Sequence, residues 1–91
     1  MTLIELYQII CDRRDHPRPG SYTAGLFESG EDEIIKKVGE EAIEVVLAAK
    51  GQGNQRLIEE IADLTFHVLV LMAAHDLQPV DIEQELAHRH R

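Results

Sequence analysis

One cysteine, Cys11, is all that this 91-residue chain carries, so no intrachain disulfide can form and a reducing cytoplasm is the simple reading. Its neighbours Leu6, Ile9 and Ile10 mark it as a small apolar residue rather than a nucleophile. Long hydrophobic runs are missing too. The longest, Val68 to Ala74, is far short of the roughly 20 residues that cross a bilayer, and no signal peptide is recognisable. Basic residues are few. Nine Lys and Arg face 17 Asp and Glu, and the formal charge of −8 argues against binding to nucleic acid or to an anionic membrane. Internal repeats and low-complexity tracts are absent. No segment alternates polar and apolar residues with period two, which leaves an all-α fold. Residues 1–91 read as a single domain. So short a chain buries a limited core, and oligomerisation is a common remedy.

The acid is distributed unevenly. Residues 29–63 hold nine acids against four bases, a net −5, whereas residues 1–28 carry −1 and residues 64–91 carry −2. Thr2 and Glu5 have capping-box spacing, and a first amphipathic helix over 3–14 turns Leu3, Leu6, Tyr7 and Ile10 inward. Pro17 and Pro19 end it. Ser21 to Glu28 reads as a connecting segment. Ser29 is expected to cap a second helix, with acids in its first turn, that runs to about Lys50 and stops at Gly51 and Gly53. A third helix runs from about Asn54 to His75. Pro79 opens a short fourth helix carrying Val80, Ile82 and Leu86, and residues 88–91 are expected to fray. A four-residue Gly-Gln-Gly-Asn link between the second and third helices predicts an antiparallel hairpin. The architecture expected is four-helix bundle-like around that long central hairpin.

Two acidic signatures lie on the hairpin. One is Glu40-Glu41-x-x-Glu44, the other Glu59-Glu60-x-x-Asp63 running on to His67. At roughly 100° per residue, Lys37, Glu40, Glu41 and Glu44 share one arc of their helix, and Glu60, Asp63 and His67 share one arc of theirs. Around the second arc stand Ile61, Leu64, Phe66, Val68, Leu69, Val70, Leu71 and Met72. A helix so apolar is expected to be buried, with its polar stripe lining a cleft. The two stations lie at similar distances from the turn, so the pairs Glu41/Glu44 and Glu60/Asp63 converge on one point. Clustered buried carboxylates repel unless a cation compensates them. The compensation expected is a hard divalent metal on oxygen ligands, Mg²⁺ before others. Glu-x-x-His is missing from both central helices, which disfavours a carboxylate-bridged iron site. Lys37 shares the acidic arc and can meet a phosphate or neutralise a glutamate, whereas Lys36 lies to the side. The hydroxyls of Ser21, Tyr22 and Thr23 suit phosphate, ribose or a stacked base, and equally a cap or turn. His67 is placed to donate to a ligand carboxylate, touch substrate or serve as a hydrogen-bonded core residue. His16, His75, His88 and His90 read as structural or solvated, and Phe27 as core.

Ser21-Tyr22-Thr23 with Leu26-Phe27, then Gly30, Lys36-Lys37-Val38-Gly39-Glu40-Glu41-Ala42-x-Glu44 and Glu60-x-Ala62-Asp63-Leu64-x-x-His67 together resemble the phosphoribosyl-ATP pyrophosphatases of histidine biosynthesis. The likeness spans about residues 3–88. The paired acidic motifs belong to a wider superfamily of all-α nucleoside triphosphate pyrophosphatases, and the Ser-Tyr-Thr and Lys-Val-Gly-Glu-Glu-Ala runs narrow it. The resemblance implies Mg²⁺-dependent hydrolysis of phosphoribosyl-ATP to phosphoribosyl-AMP and pyrophosphate by a helical homodimer, with the next enzyme, a cyclohydrolase, as a separate protein. It implies Glu41, Glu44, Glu60 and Asp63 as metal ligands. It also implies Ser21, Tyr22, Thr23, Lys37 and His67 as substrate-binding residues. Glu40, Glu41 and Glu44 become the catalytic carboxylates, and Glu40 either handles the attacking water or supports a ligand. Two positions depart from the family's habit. Phe66 stands where an aromatic with a hydroxyl is common, and Gly25 where a larger, often basic residue is common. A house-cleaning nucleotide pyrophosphatase and a non-catalytic helical dimerisation module are the rival readings.

Overall fold

Side-chain caps start the first two helices of this computed structural model, and residues 1–90 are described. Five α-helices follow in order: α1 Leu3–Asp15, α2 Tyr22–Ser29, α3 Glu31–Gly51, α4 Asn54–Ala74 and α5 Pro79–Arg89. Thr2 caps α1 as expected. The Glu5 amide donates to Thr2 Oγ1 at 3.1 Å, and the Thr2 amide donates to Glu5 Oε1 at 2.9 Å. Pro79 opens α5, preceded by a box in which the Gln78 amide donates to Asp81 Oδ2 at 2.7 Å.

Two expectations about these boundaries are corrected. Ser21 to Glu28 is no connecting segment: the Ser21 hydroxyl accepts from the Ala24 amide and starts α2, an eight-residue helix. Ser29 does not cap the next helix, because its hydroxyl donates to the Gly25 carbonyl at 2.8 Å. Gly30 ends α2 and begins α3 at φ 95°, a left-handed conformation open to a residue without Cβ. His88 and Arg89 are the last residues of α5 within the stretch expected to fray, and Arg91 lies outside the described residues.

The α3–α4 hairpin is the frame. α1 and α2 pack across one end of it, where Ile34 of α3 meets Leu69, Val70, Met72 and Ala73 of α4. Tyr7, Ile10 and Leu26 complete this core, with Leu6, Cys11, Phe27, Phe66 and Leu71 against it. Leu3 is 60% exposed and does not join it. The chain end of α4 is strapped to α1. Arg14 Nη1 donates to the Ala73 carbonyl at 2.6 Å, and the Tyr7 hydroxyl donates to the Leu77 carbonyl. Burial pushes the Tyr7 phenol up to about 12, with the nearby Cys11 adding to the shift. His75 pairs with Glu31 across the same end.

The turn end of the hairpin has no such cover. Ile43, Val46, Leu47, Ile58 and Ile61 are exposed, so the expectation that α4 is buried on every side fails within one chain. The radius of gyration reflects this projecting arm: 14.2 Å, against about 12 Å for a compact domain of this length. α5 lies at the margin, and none of its residues is buried among the described residues.

Candidate active site

Between the packed end and the bare arm, the hairpin brings three carboxylates together. Glu41 of α3 and Glu60 and Asp63 of α4 each place an oxygen within 4.8 Å of the other two. Both helices contribute because the short link sets them antiparallel, and the i, i+3 spacing of Glu60 and Asp63 keeps that pair on one face. Glu60 is buried, Glu41 half-buried and Asp63 exposed, so the group is sunk on one side and open on the other.

The donor set fits a hard cation. All donors are carboxylate oxygens. Glu41, Glu60 and Asp63 would hold such a cation through these oxygens. Arg56 supplies the compensating charge here. Its Nη2 donates to Glu60 Oε1 at 2.5 Å and its Nη1 to Glu59 Oε1 at 2.5 Å. Hydrogen bonds from Gln55, then Arg56, hold the Glu59 carboxyl below its ordinary range. Sequence reasoning passed over Arg56. The signal was its i, i+3 and i, i+4 spacing to Glu59 and Glu60.

Glu44, expected beside Glu41 as a ligand, is exposed and stands outside the 4.8 Å group. With Lys37, Glu40, Glu41 and Ile43 it lines a cleft of about 390 Å³ instead. Lys37 Nζ lies 3.7 Å from Glu40 Oε1 and 3.8 Å from Glu41 Oε1. The nearby Tyr22 phenol, then Glu40, Glu41 and Glu33, raise the Lys37 ammonium above its ordinary value. Lys36 reaches only Glu33, at 3.9 Å.

A second cleft, about 320 Å³, runs between α2 and α3. Tyr22, Gly25, Leu26, Ser29, Glu33 and Lys37 line it, so Lys37 stands where the two clefts meet. Gly25, Ser29 and Glu33 enter the site only because the loop-like segment is a helix facing α3. A Cβ at Gly25 would meet nothing within 4 Å.

Behind this cleft, His67 is 3% exposed and both its nitrogens are occupied. Nδ1 lies 2.7 Å from the Asp63 carbonyl and Nε2 lies 2.9 Å from the Tyr22 hydroxyl. Ser21 sits at the α2 cap, and Thr23 is half-buried on α2.

Residues 3–90 match the family model described as phosphoribosyl-ATP pyrophosphohydrolase. The chain is 56% identical over 85 residues to a phosphoribosyl-ATP pyrophosphatase of Pelotomaculum thermopropionicum, covering 93% of this chain and 87% of that one. It is 55% identical over 87 residues to the Listeria innocua enzyme of the same name, covering 96% and 84%. A histidine biosynthesis bifunctional protein of Nostoc sp. is 43% identical over 90 residues, which are 99% of this chain but 42% of that protein. The chain belongs to the phosphoribosyl-ATP pyrophosphohydrolase family.

Proposed function

We propose that this protein hydrolyses phosphoribosyl-ATP to phosphoribosyl-AMP and pyrophosphate with Mg²⁺, as a cytoplasmic homodimer. The observation that carries the reading is the convergence of Glu41, Glu60 and Asp63 from two helices, beside a cleft lined by Lys37, Glu40 and Glu44. Glu41, Glu60 and Asp63 hold the metal, and Glu44, on the same side of α3 as Glu41, joins them by turning its free side chain. When bound, Mg²⁺ would neutralise phosphate charge. Lys37 takes a phosphate oxygen at the junction of the clefts. Glu40, exposed beside Lys37, orients the attacking water and accepts its proton. Ser21, Tyr22 and Thr23 bind substrate from the α2 side. His67, expected from the sequence among the substrate-binding residues, supports this set from behind.

The bare apolar arm supports the homodimer. Ile43, Val46 and Ile58 are each about 60% exposed on neighbouring helices, and a second copy of the same hairpin would cover them. Light scattering on the native protein and on Val46→Asp tests this: a dimer that dissociates on substitution is expected. The Nostoc sp. and Gloeobacter violaceus bifunctional proteins are more than twice this chain's length. They support a functional link to the enzyme that consumes phosphoribosyl-AMP, expected to be a cyclohydrolase. Among the described residues no helix is long and apolar enough to cross a membrane.

Pyrophosphate release from phosphoribosyl-ATP, with Mg²⁺ or with chelator, tests the activity beside ATP and several deoxynucleotides. Mg²⁺-dependent turnover confined to phosphoribosyl-ATP is the expected result. Turnover of the other nucleotides alone overturns the substrate, and turnover in chelator overturns the metal.

A further inference from the structure

Tyr22 is 56% exposed, yet its hydroxyl is tied to a buried histidine. The direction of that bond follows from His67. A backbone carbonyl only accepts, so the contact with the Asp63 carbonyl requires a proton on His67 Nδ1. In the tautomer with its proton on Nδ1, His67 presents a bare Nε2, and the Tyr22 hydroxyl donates to it. The proton that would serve a phosphate oxygen is already committed.

Aromatic packing fixes the ring as well as the hydroxyl. The Tyr22 ring centroid lies 5.9 Å from that of His67 at 82° and 6.2 Å from that of Phe66 at 32°. Phe66 and His67 stand edge to face at 5.0 Å. Phe66 and His67 come from α4 and Tyr22 from α2, so the contact also sets α2 against the hairpin. Tyr22 lines the α2–α3 cleft together with Gly25 and Lys37, and a Cβ at Gly25 would meet nothing within 4 Å.

We propose that His67 is a positioning residue that holds Tyr22 as an aromatic wall, so that Tyr22 meets the substrate's planar base with its ring face and not a phosphate with its hydroxyl. This rests on the proposed substrate. It assigns the α2–α3 cleft to the base end and leaves the acidic cleft beyond Lys37 to the phosphates. His67 does not touch substrate, and its influence passes through Tyr22.

Four single variants and one double variant test it, read by kinetics, calorimetry and NMR. Tyr22→Leu removes the wall, Tyr22→Phe removes only the tether, and His67→Asn keeps a donor near the Asp63 carbonyl while losing the reach to Tyr22. His67→Gln restores that reach. Base stacking on an aromatic side chain is worth enough to raise KM about tenfold in Tyr22→Leu, with kcat changing less than about twofold. Tyr22→Phe and His67→Asn are expected to raise KM by equal, smaller factors, roughly threefold. Their combination is expected to do no more than either alone, because both break one bond. His67→Gln should recover most of the His67→Asn loss.

Binding of inorganic pyrophosphate with Mg²⁺, measured by calorimetry, should be unchanged in every variant. Weaker pyrophosphate binding in Tyr22→Phe would mean that the hydroxyl contacts phosphate, and the proposal fails. Weaker Mg²⁺ binding in His67→Asn would mean that His67 acts through Asp63, and strictly multiplicative effects in the double variant would mean independent roles. Either outcome overturns it. Nitrogen-15 NMR separates this from the substrate assignment. An Nδ1-protonated His67 whose Nε2 signal shifts in Tyr22→Phe establishes the tether even if phosphoribosyl-ATP is not turned over, and the opposite tautomer rejects it even if turnover is normal.

Discussion

Replacing Arg56 with methionine should tighten Mg²⁺ binding while destabilising the metal-free protein. Arg56 is bonded to Glu60, a buried member of the carboxylate group, so guanidinium and metal compete for one carboxylate. The distance between them can be built from the structure. Arg56 Nη2 stands 2.5 Å from Glu60 Oε1, and a metal on that carboxylate adds about 2 Å, putting the two charges roughly 4–5 Å apart. Unit charges at that range repel by about 1 kcal/mol in water. Mg²⁺ is divalent, but Arg56 is half exposed and free to swing away, so the low figure applies. About 1 kcal/mol is roughly a fivefold fall in Kd. Without metal, Glu60 loses its counter-charge, and the melting temperature should fall by about 4–8 °C per kcal/mol lost in a domain of this size. Calorimetric Mg²⁺ titration and melts in chelator measure the two effects, and Arg56→Lys, which keeps the charge, should sit between native and methionine. Weaker Mg²⁺ binding in Arg56→Met would refute the reasoning, since it would make Arg56 a holder of Glu60 for the metal rather than its competitor.

Further outcomes follow from the same geometry. Glu41→Gln should lower Mg²⁺-dependent turnover by about two orders of magnitude or more with helix content unchanged by circular dichroism. Asp63→Asn should raise the metal-free melting temperature by relieving repulsion inside the carboxylate group. Glu44→Gln, outside that group, should leave the temperature nearly unchanged, and equal gains in both would count against the placement of Glu44. Tyr7 carries a folded pKa above its unfolded value, so its contribution is complete below pH 10 and is lost as pH rises toward 12. Alkaline melts should show this loss in the native protein and a flatter profile in Tyr7→Phe. Ile10→Ala, at a fully buried core position, should cost about 2–5 kcal/mol by urea unfolding. A loss below 1 kcal/mol would mean that the α1 contact contributes little.

Most of the carboxylate group was legible in the sequence through two local rules. Residues three apart on a helix share a face, and a four-residue link makes neighbouring helices antiparallel, which predicted that Glu41, Glu44, Glu60 and Asp63 converge; three of them meet, and Glu44 does not. Lys37 followed from the same arc. α2 was not legible: eight residues make barely two turns, too few to show helical periodicity. With α2 unseen, the facing cleft and the roles of Gly25, Ser29 and Glu33 were out of reach. Arg56 looked like any surface arginine among i, i+4 acids, and its consequence depends on Glu60 being buried, which sequence does not state.

Spacing along the chain, then, determined the helical class, the hairpin and which carboxylates share a face, because each depends on neighbours within a turn or two. Tertiary structure alone decided how far Glu44 stands from the group, which side of the hairpin stays bare, and that the Tyr22 hydroxyl points at His67, 45 residues away. Those outcomes depend on how α1 and α2 pack across one end of the hairpin, a global balance of burial that no local pattern encodes.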